Sequence, residues 1–286
     1  MPQSAVSAVN VHKARADGSK LTSDLVAVEE PLEVRVQFGP EQSRKEQVLA
    51  VIMRTPGHDE FLTLGFLCTE GIIQEESQVL SIKHCTNVPE TAAGNVIMVK
   101  LAPSVTLPWD QYQRHIYMSS SCGVCGKTSL EAVVVSCHWQ ELGPGPQLQS
   151  EILYQLPTRL KELQLVFNRT GGLHAAGIFN SHGKPLYWQE DIGRHNAVDK
   201  VIGAAWQAKL LPLDEHVLLV SGRIGFELVQ KSVMAGIRFM AGVGAPSSLA
   251  VELAEQHEMT LVGFLNEKRY NCYYQPQRII DRSERT

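Results

Sequence analysis

His216-Val217-Leu218-Leu219-Val220, running directly into Ser221-Gly222-Arg223-Ile224-Gly225-Phe226-Glu227, is the stretch that decides the fold. The first five residues are mostly apolar and predict a short buried strand. The glycine-spaced turn after them opens a helix predicted over 226–240. A strand that feeds a helix through such a loop is the repeating unit of an α/β layer. Open α/β sheets bind their ligands in loops at the carboxyl ends of strands. Backbone amides at a helix start suit phosphate groups, and Arg223 and Lys231 would add positive charge.

The same alternation extends on both sides. Upstream, a strand is predicted over 163–168 and another over 186–189, with Gly171-Gly172 before His174 forming a close-approach loop. Then Glu190-Asp191-Ile192-Gly193-Arg194-His195-Asn196-Ala197-Val198-Asp199-Lys200 leads into a helix continuing to Ala208. Asp191 is a natural N-cap for that helix, but a cap explains neither Arg194 nor His195. Downstream, a helix over 247–256 and a strand over 260–265 complete an α/β domain over 151–286. The charged run Glu267-Lys268-Arg269 after the last strand reads, by itself, as a solvated turn.

The first half reads differently. Period-two alternation over 21–38, broken by Pro31, predicts two half-buried strands, and 47–54 a third. Thr55-Pro56-Gly57-His58-Asp59-Glu60 is a turn and helix start, and Gly71 stops the helix. Two more strands are expected at 82–84 and 95–101. The organisation predicted is a loose tail at 1–20, a small α+β subdomain at 21–118, a joint at 119–150 and the α/β domain at 151–286. Glu141-Leu142-Gly143-Pro144-Gly145-Pro146, the clearest breaker cluster in the chain, marks the joint.

At 286 residues, 44% hydrophobic and 20% charged, the composition is that of a soluble globular protein. A net charge of −4 argues against broad affinity for nucleic acid or anionic membranes. No signal-peptide core is evident in the first twenty residues, and no apolar run reaches the ~18 residues of a membrane span. A cytoplasmic location is therefore expected, where thiols stay reduced.

Within the joint lies Ser119-Ser120-Ser121-Cys122-Gly123-Val124-Cys125-Gly126-Lys127. A structural zinc site calls for a second cysteine pair, whereas Cys68, Cys85, Cys137 and Cys272 are scattered. A thioredoxin-like pair belongs near the start of a small domain rather than at a joint. The zinc deaminase signature, H-x-E followed by P-C-x-x-C, is met literally only at His58-Asp59-Glu60, and Ser121 stands where the proline belongs. A sulfur carrier is the remaining reading: Lys127 and the start of a following helix, predicted over 129–138, favour the thiolate such a cysteine requires. Spacing alone leaves these alternatives open. No Walker or Rossmann pattern is present.

Six stretches, taken in order, resemble the FdhD family, the sulfur carriers required for formate dehydrogenase activity. They are TPGHDEFLTLGFLCTEGII (55–73), SSSCGVCGK (119–127), TGGLHAAGIF (170–179), EDIGRHNAVDKVIG (190–203), SGRIGFE (221–227) and LVGFLNEKRYNCY (261–273). EDIGRHNAVDK is the most specific of them. The resemblance implies that Cys122 accepts a persulfide from a cysteine desulfurase, with Cys125 relaying or resolving it. It implies transfer to the molybdenum bis(molybdopterin guanine dinucleotide) cofactor of the client formate dehydrogenase, with Phe264, Leu265, Asn266, Glu267, Lys268 and Arg269 as its binding segment. A pyrophosphate needs charged donors, which suggests Arg194, His195 and Arg223 as further contacts. The family also looks like a cytidine-deaminase fold that has lost its zinc ligands, so no structural metal is expected. A homodimer is expected, and neither a nucleic acid nor a membrane. One departure is Gly225, where the family more often carries a small hydroxyl residue. The competing reading is a non-catalytic cofactor chaperone of formate dehydrogenase.

Overall fold

A computed structural model describes residues 4–106, 138–139 and 141–281. The cysteine loop at 119–127, and the helix expected after it as far as 137, lie outside the described residues. Among the described residues the chain forms fourteen strands and six α-helices.

The chain enters as an antiparallel ribbon of β1 (Val6–Arg15) and β2 (Gly18–Ala27). The loose tail expected at 1–20 is thus corrected over 6–20. Arg15 pairs with Gly18 across a two-residue turn. Most ribbon side chains are exposed on both faces, so the hydrophobic alternation that reveals a half-buried strand is weak there. The next elements are β3 (Glu30–Phe38), β4 (Lys45–Arg54), α1 (Asp59–Thr69), β5 (Val79–His84) and β6 (Val96–Leu101). They build a mixed sheet of order β4-β3-β6-β5, with only β3 and β6 parallel.

After β7 (Leu148–Gln149) comes α2 (Ser150–Leu163), then a single helical turn, α3 (Phe167–Thr170). The strand expected at 163–168 is therefore wrong. Leu153, Leu156 and Leu160 are buried at helical spacing, and Pro157 inside the helix hid the pattern. The second sheet draws on β8 (His174–Phe179), β9 (Pro185–Asp191), β10 (Val217–Val220), β11 (Phe239–Gly242), β12 (Thr260–Gly263) and β13 (Asn271–Tyr274), in the order β13-β12-β11-β10-β8-β9. Strands β10, β11 and β12 are parallel and the outer pairings antiparallel. Helices α4 (Arg194–Gln207), α5 (Phe226–Met234) and α6 (Ser248–Gln256) accompany it, and β14 (Ile279–Ile280) pairs with β7.

The helix expected over 226–240 divides into α5 and β11. Gly236 at φ 74° ends it in a conformation other residues resist, and an added Cβ would sit 2.5 Å from Pro212 Cβ. A four-residue buried strand within an apolar run carries no periodicity of its own.

Both faces of the second sheet are covered. Ala175, Phe179, Val217, Leu219, Phe239, Ala241 and Val262 pack with α2. Ala176, Ile178, Leu218, Val220, Met240 and Leu261 join a core that also takes in α1, α4, α5, α6 and the first sheet. Helices α1 and α4 cross at the centre of this core. A Cβ on Gly65 would lie 1.8 Å from the Asp199 carbonyl oxygen, and one on Gly203 1.9 Å from that of Phe61. Only glycine allows backbones so close. The six helices and mixed sheets bear out the α/β class.

Candidate functional site at the strand ends

Parallel β10, β11 and β12 end on the same side of the sheet, and their following loops are stitched together. Gly244 N donates to Gly222 O, Ile224 N to Ala245 O, and Phe264 N to Gly244 O. The loops at 221–225, 243–247 and 264–269 therefore form one rim. His174, at the start of β8, and Arg194, at the start of α4, close its other side: a Cβ on Gly222 would lie 3.3 Å from His174 Nδ1 and 4.0 Å from Arg194 Cδ.

The rim is rich in cations without partners. Arg223, Lys268 and Arg269 are exposed, and among the described residues none of the three has a side-chain hydrogen bond or ion pair. Arg194 Nε is buried and, among the described residues, lacks a hydrogen-bond partner. His195 is 4% exposed, with Nε2 3.4 Å from Glu227 Oε2. That contact is loose, but it holds the Glu227 carboxyl below its usual range, against the effect of burial. Burial first, then the charges of Arg194 and His195, pushes the His174 imidazole below its ordinary value. Such a site favours an anion.

Loop 264–269 is shaped by its own hydrogen bonds. Asn266 Oδ1 accepts from the amides of Lys268 and Arg269, and Asn266 N donates to Arg269 O. Thr158 Oγ1 donates to Glu267 Oε1 at 2.6 Å, tying the loop to α2. Phe264 stands half-open on the rim at φ 54°. Leu265, expected in the same binding segment, has no exposed surface and packs in the sheet core. Its side chain anchors the loop; a ligand on the rim meets its neighbours.

The EDIGRHNAVDK stretch splits into two roles. Asp191 is not an N-cap: Gly193 holds that position. The Asp191 carboxylate is fully buried, 2.7 Å from Lys200 Nζ, and accepts from Thr55 N, Gly193 N and Asn196 Nδ2. Asn196 Nδ2 also donates to Met53 O, and Lys200 Nζ to Thr55 O. Glu190 accepts from the amides of Val166 and Phe167. Asp191, Asn196 and Lys200 thus pin α4 to the first sheet and to the turn at 55–58, while Glu190 ties β9 to the start of α3. Lys231, expected to lend charge to a ligand, is buried against Asp199 at 2.9 Å, with Thr69 and Glu70 beside it. Of the stretch, Arg194 lies against the rim loop at Gly222, and His195 is buried beside Glu227.

Glu227, His174 and Gly244 were not singled out as site residues from the sequence. Glu227 was recoverable in principle, since it sits in the first turn of α5 four residues before Lys231. His174 and Gly244 enter only through strand order. Cys122 and Cys125 lie outside the described residues. Among the described residues no cluster of three or more His, Cys, Asp or Glu side chains is placed to hold a metal ion, and no helix is long and apolar enough to cross a membrane.

The model of the FdhD/NarQ family matches residues 27–280. The chain belongs to the FdhD/NarQ family. Among its relatives, the sulfur carrier protein FdhD of Mycolicibacterium paratuberculosis is 48% identical over 90% of this chain and 92% of its own. The sulfur carrier protein FdhD of Streptomyces avermitilis is 46% identical over 93% of each chain. The archaeal sulfur carrier protein FdhD of Saccharolobus solfataricus is 42% identical over 90% of this chain and 91% of its own. The crystal structure of a formate dehydrogenase accessory protein of Desulfotalea psychrophila shares the fold at a TM-score of 0.72 and 21% identity, covering 97% of this chain and all of that one. The FdhD/NarQ match thus takes in both sheets, the rim and the cysteine pair.

Proposed function

We propose that this FdhD/NarQ protein is a sulfur carrier for formate dehydrogenase, acting through Cys122 on a guanine dinucleotide form of the molybdenum cofactor bound at the rim. The observation that carries the reading is the rim itself, where the loops bearing Arg223, Lys268 and Arg269 meet beside Arg194 and exposed Phe264, with Glu227 near His195 and Glu267 tied to Thr158 as its carboxylates. A pyrophosphate takes charge-assisted hydrogen bonds from such donors, and Phe264 offers an aromatic face to a base.

The chemistry of the cysteines follows from thiol exchange. The Cys122 thiolate attacks the terminal sulfur of a persulfide on a cysteine desulfurase. A new S–S bond forms on Cys122, and the desulfurase cysteine leaves as a thiolate, so there is no net oxidation. Attack by the Cys125 thiolate on the Cys122 sulfur then releases hydrosulfide towards the cofactor and leaves a Cys122–Cys125 disulfide, which a cellular thiol reduces. The bound cofactor is the acceptor in this scheme, and the rim residues bind and orient it.

Cys122→Ala is expected to abolish activation of formate dehydrogenase while leaving the melting temperature unchanged; normal activation would sink the reading. Incubation with a desulfurase and sulfur-labelled cysteine is expected to place label on Cys122. An unlabelled protein that still activates the enzyme would instead establish the cofactor chaperone.

A further inference from the structure

Helix α2 packs on one face of the second sheet and reaches the rim loop at 264–269 and its outgoing end with two side chains. Thr158 Oγ1 donates to Glu267 Oε1 at 2.6 Å, and the Tyr154 ring centroid lies 5.4 Å from that of Tyr270. Tyr154 and Thr158 are four residues apart on the helix, about one turn, so one side of α2 makes both contacts. Both elements are anchored. Leu153, Leu156 and Leu160 fasten α2 in the core, and Leu265 does the same for the loop. Within the loop, Asn266 Oδ1 accepts from the amides of Lys268 and Arg269 and so shapes the turn that carries both cations.

Glu267 is the only carboxylate in this loop, and Lys268 and Arg269 follow it directly. A carboxylate left free there would pair with those cations or repel an anion that they hold. Among the described residues Glu267 forms no ion pair with either cation. Its hydrogen bond goes instead to a half-buried hydroxyl on another element. We propose that Thr158 is a positioning residue: it holds the Glu267 carboxylate against α2 and so keeps Lys268 and Arg269 open to a phosphate group of the ligand. A hydrogen bond to an ionised acceptor is shorter and stronger than a neutral one, whereas an exposed ion pair contributes little. One hydroxyl is therefore enough to decide where the carboxylate sits. The proposal rests on the rim as an anion site, and it gives a role in binding to a helix that supplies no cation to the rim.

Calorimetry of the full chain at low ionic strength, with GDP and with inorganic pyrophosphate as probes, tests this. Thr158→Val keeps the shape of the side chain and removes the donor. It is expected to weaken binding of both probes roughly fivefold, the scale of one exposed ion pair formed in competition. Thr158→Ser, which keeps the hydroxyl, is expected to bind like the wild-type chain. The decisive variant combines Thr158→Val with Glu267→Gln, removing the tether and the competing charge together. It is expected to bind within about twofold of the wild-type chain, because the two changes are coupled rather than additive. A tether that served only the shape of the loop would leave this double variant as weak as Thr158→Val, and that result would overturn the proposal. Unaltered binding in Thr158→Val would overturn it as well. Pyrophosphate binding without GDP binding would overturn the nucleotide reading alone, and the same variants then decide the proposal on pyrophosphate. Binding of neither probe by the wild-type chain would overturn the rim reading and the proposal together.

Discussion

Lys231 and Arg223 are eight residues apart, on one helix and the loop that feeds it, yet they belong to opposite regions of the molecule. Lys231 lies in the seam between α1, α4 and α5, where it is matched by Asp199, Thr69 and Glu70. Arg223 lies on the rim, exposed and, among the described residues, without a partner. Both regions are dense in charged side chains. In the seam each charge is matched by another buried group, so the energy goes into holding two sheets at one angle. On the rim, among the described residues, the donors Arg223, Lys268 and Arg269 are unmatched. Polar residue type does not distinguish the two regions; partnership does.

The comparison is sharpest where a single partner is removed. Lys231→Met leaves a buried carboxylate without its cation, and chemical denaturation should show a loss of about 3–5 kcal/mol. The paired change Asp199→Leu with Lys231→Met should recover most of that loss, because replacing both members of a buried ion pair by apolar groups is often neutral. If the single change proved harmless, the seam would be no more structural than the rim. Gly203→Ala tests the same seam through shape. Its Cβ would need the space of the Phe61 carbonyl, and a loss of about 1–3 kcal/mol is expected from the forced separation of α1 and α4.

Rim substitutions should behave in the opposite way. Arg223→Ala and Lys268→Ala are expected to change stability by no more than about 0.5 kcal/mol. Each should weaken GDP binding roughly tenfold, the scale of one lost charge-assisted hydrogen bond. A rim variant that unfolded the protein, with binding intact in the remaining folded fraction, would erase the distinction.

The smallest effect is expected at the half-exposed edge of the first sheet. Burial alone would raise the Asp59 pKa, but hydrogen bonds from His84 and Arg54 hold the carboxyl below its usual value. The same His84 hydrogen bond, which outweighs the burial of the ring, raises the imidazole above 6.5. The His84 contribution to stability is therefore complete below about pH 6.5 and fades as the pH rises through the higher folded value. The Asp59 contribution is complete above about pH 4 and fades as the pH falls through its lowered folded value. His84→Gln should flatten the fall on the alkaline side, which thermal melts between pH 5 and pH 9 would detect.

Much of the architecture is legible in the residues. Helix α1, helix α4 and strand β10 fall close to where periodicity and stop signals place them. Strand β1, α2 and β11 do not. The first lacks a buried face, the second carries Pro157, and the third is too short and too apolar to show a period. The site was legible in part. The loops that carry Arg223, Lys268 and Arg269 meet beside Arg194, whereas Leu265 turns into the core and Lys231 into the seam.

The residue order by itself determined the α/β class, the approximate ends of most elements and the family, because those depend on local spacing and on motifs several residues long. Only the tertiary structure decided which of two similar charges is a rivet and which is a hand held out to a ligand. That depends on whether a charge or hydrogen-bond partner arrives from another element: Asp199 reaches Lys231 across 32 residues of sequence, and Asp191 reaches the Thr55 amide across 136. Those meetings are set by helix crossing and strand order, which no local pattern encodes.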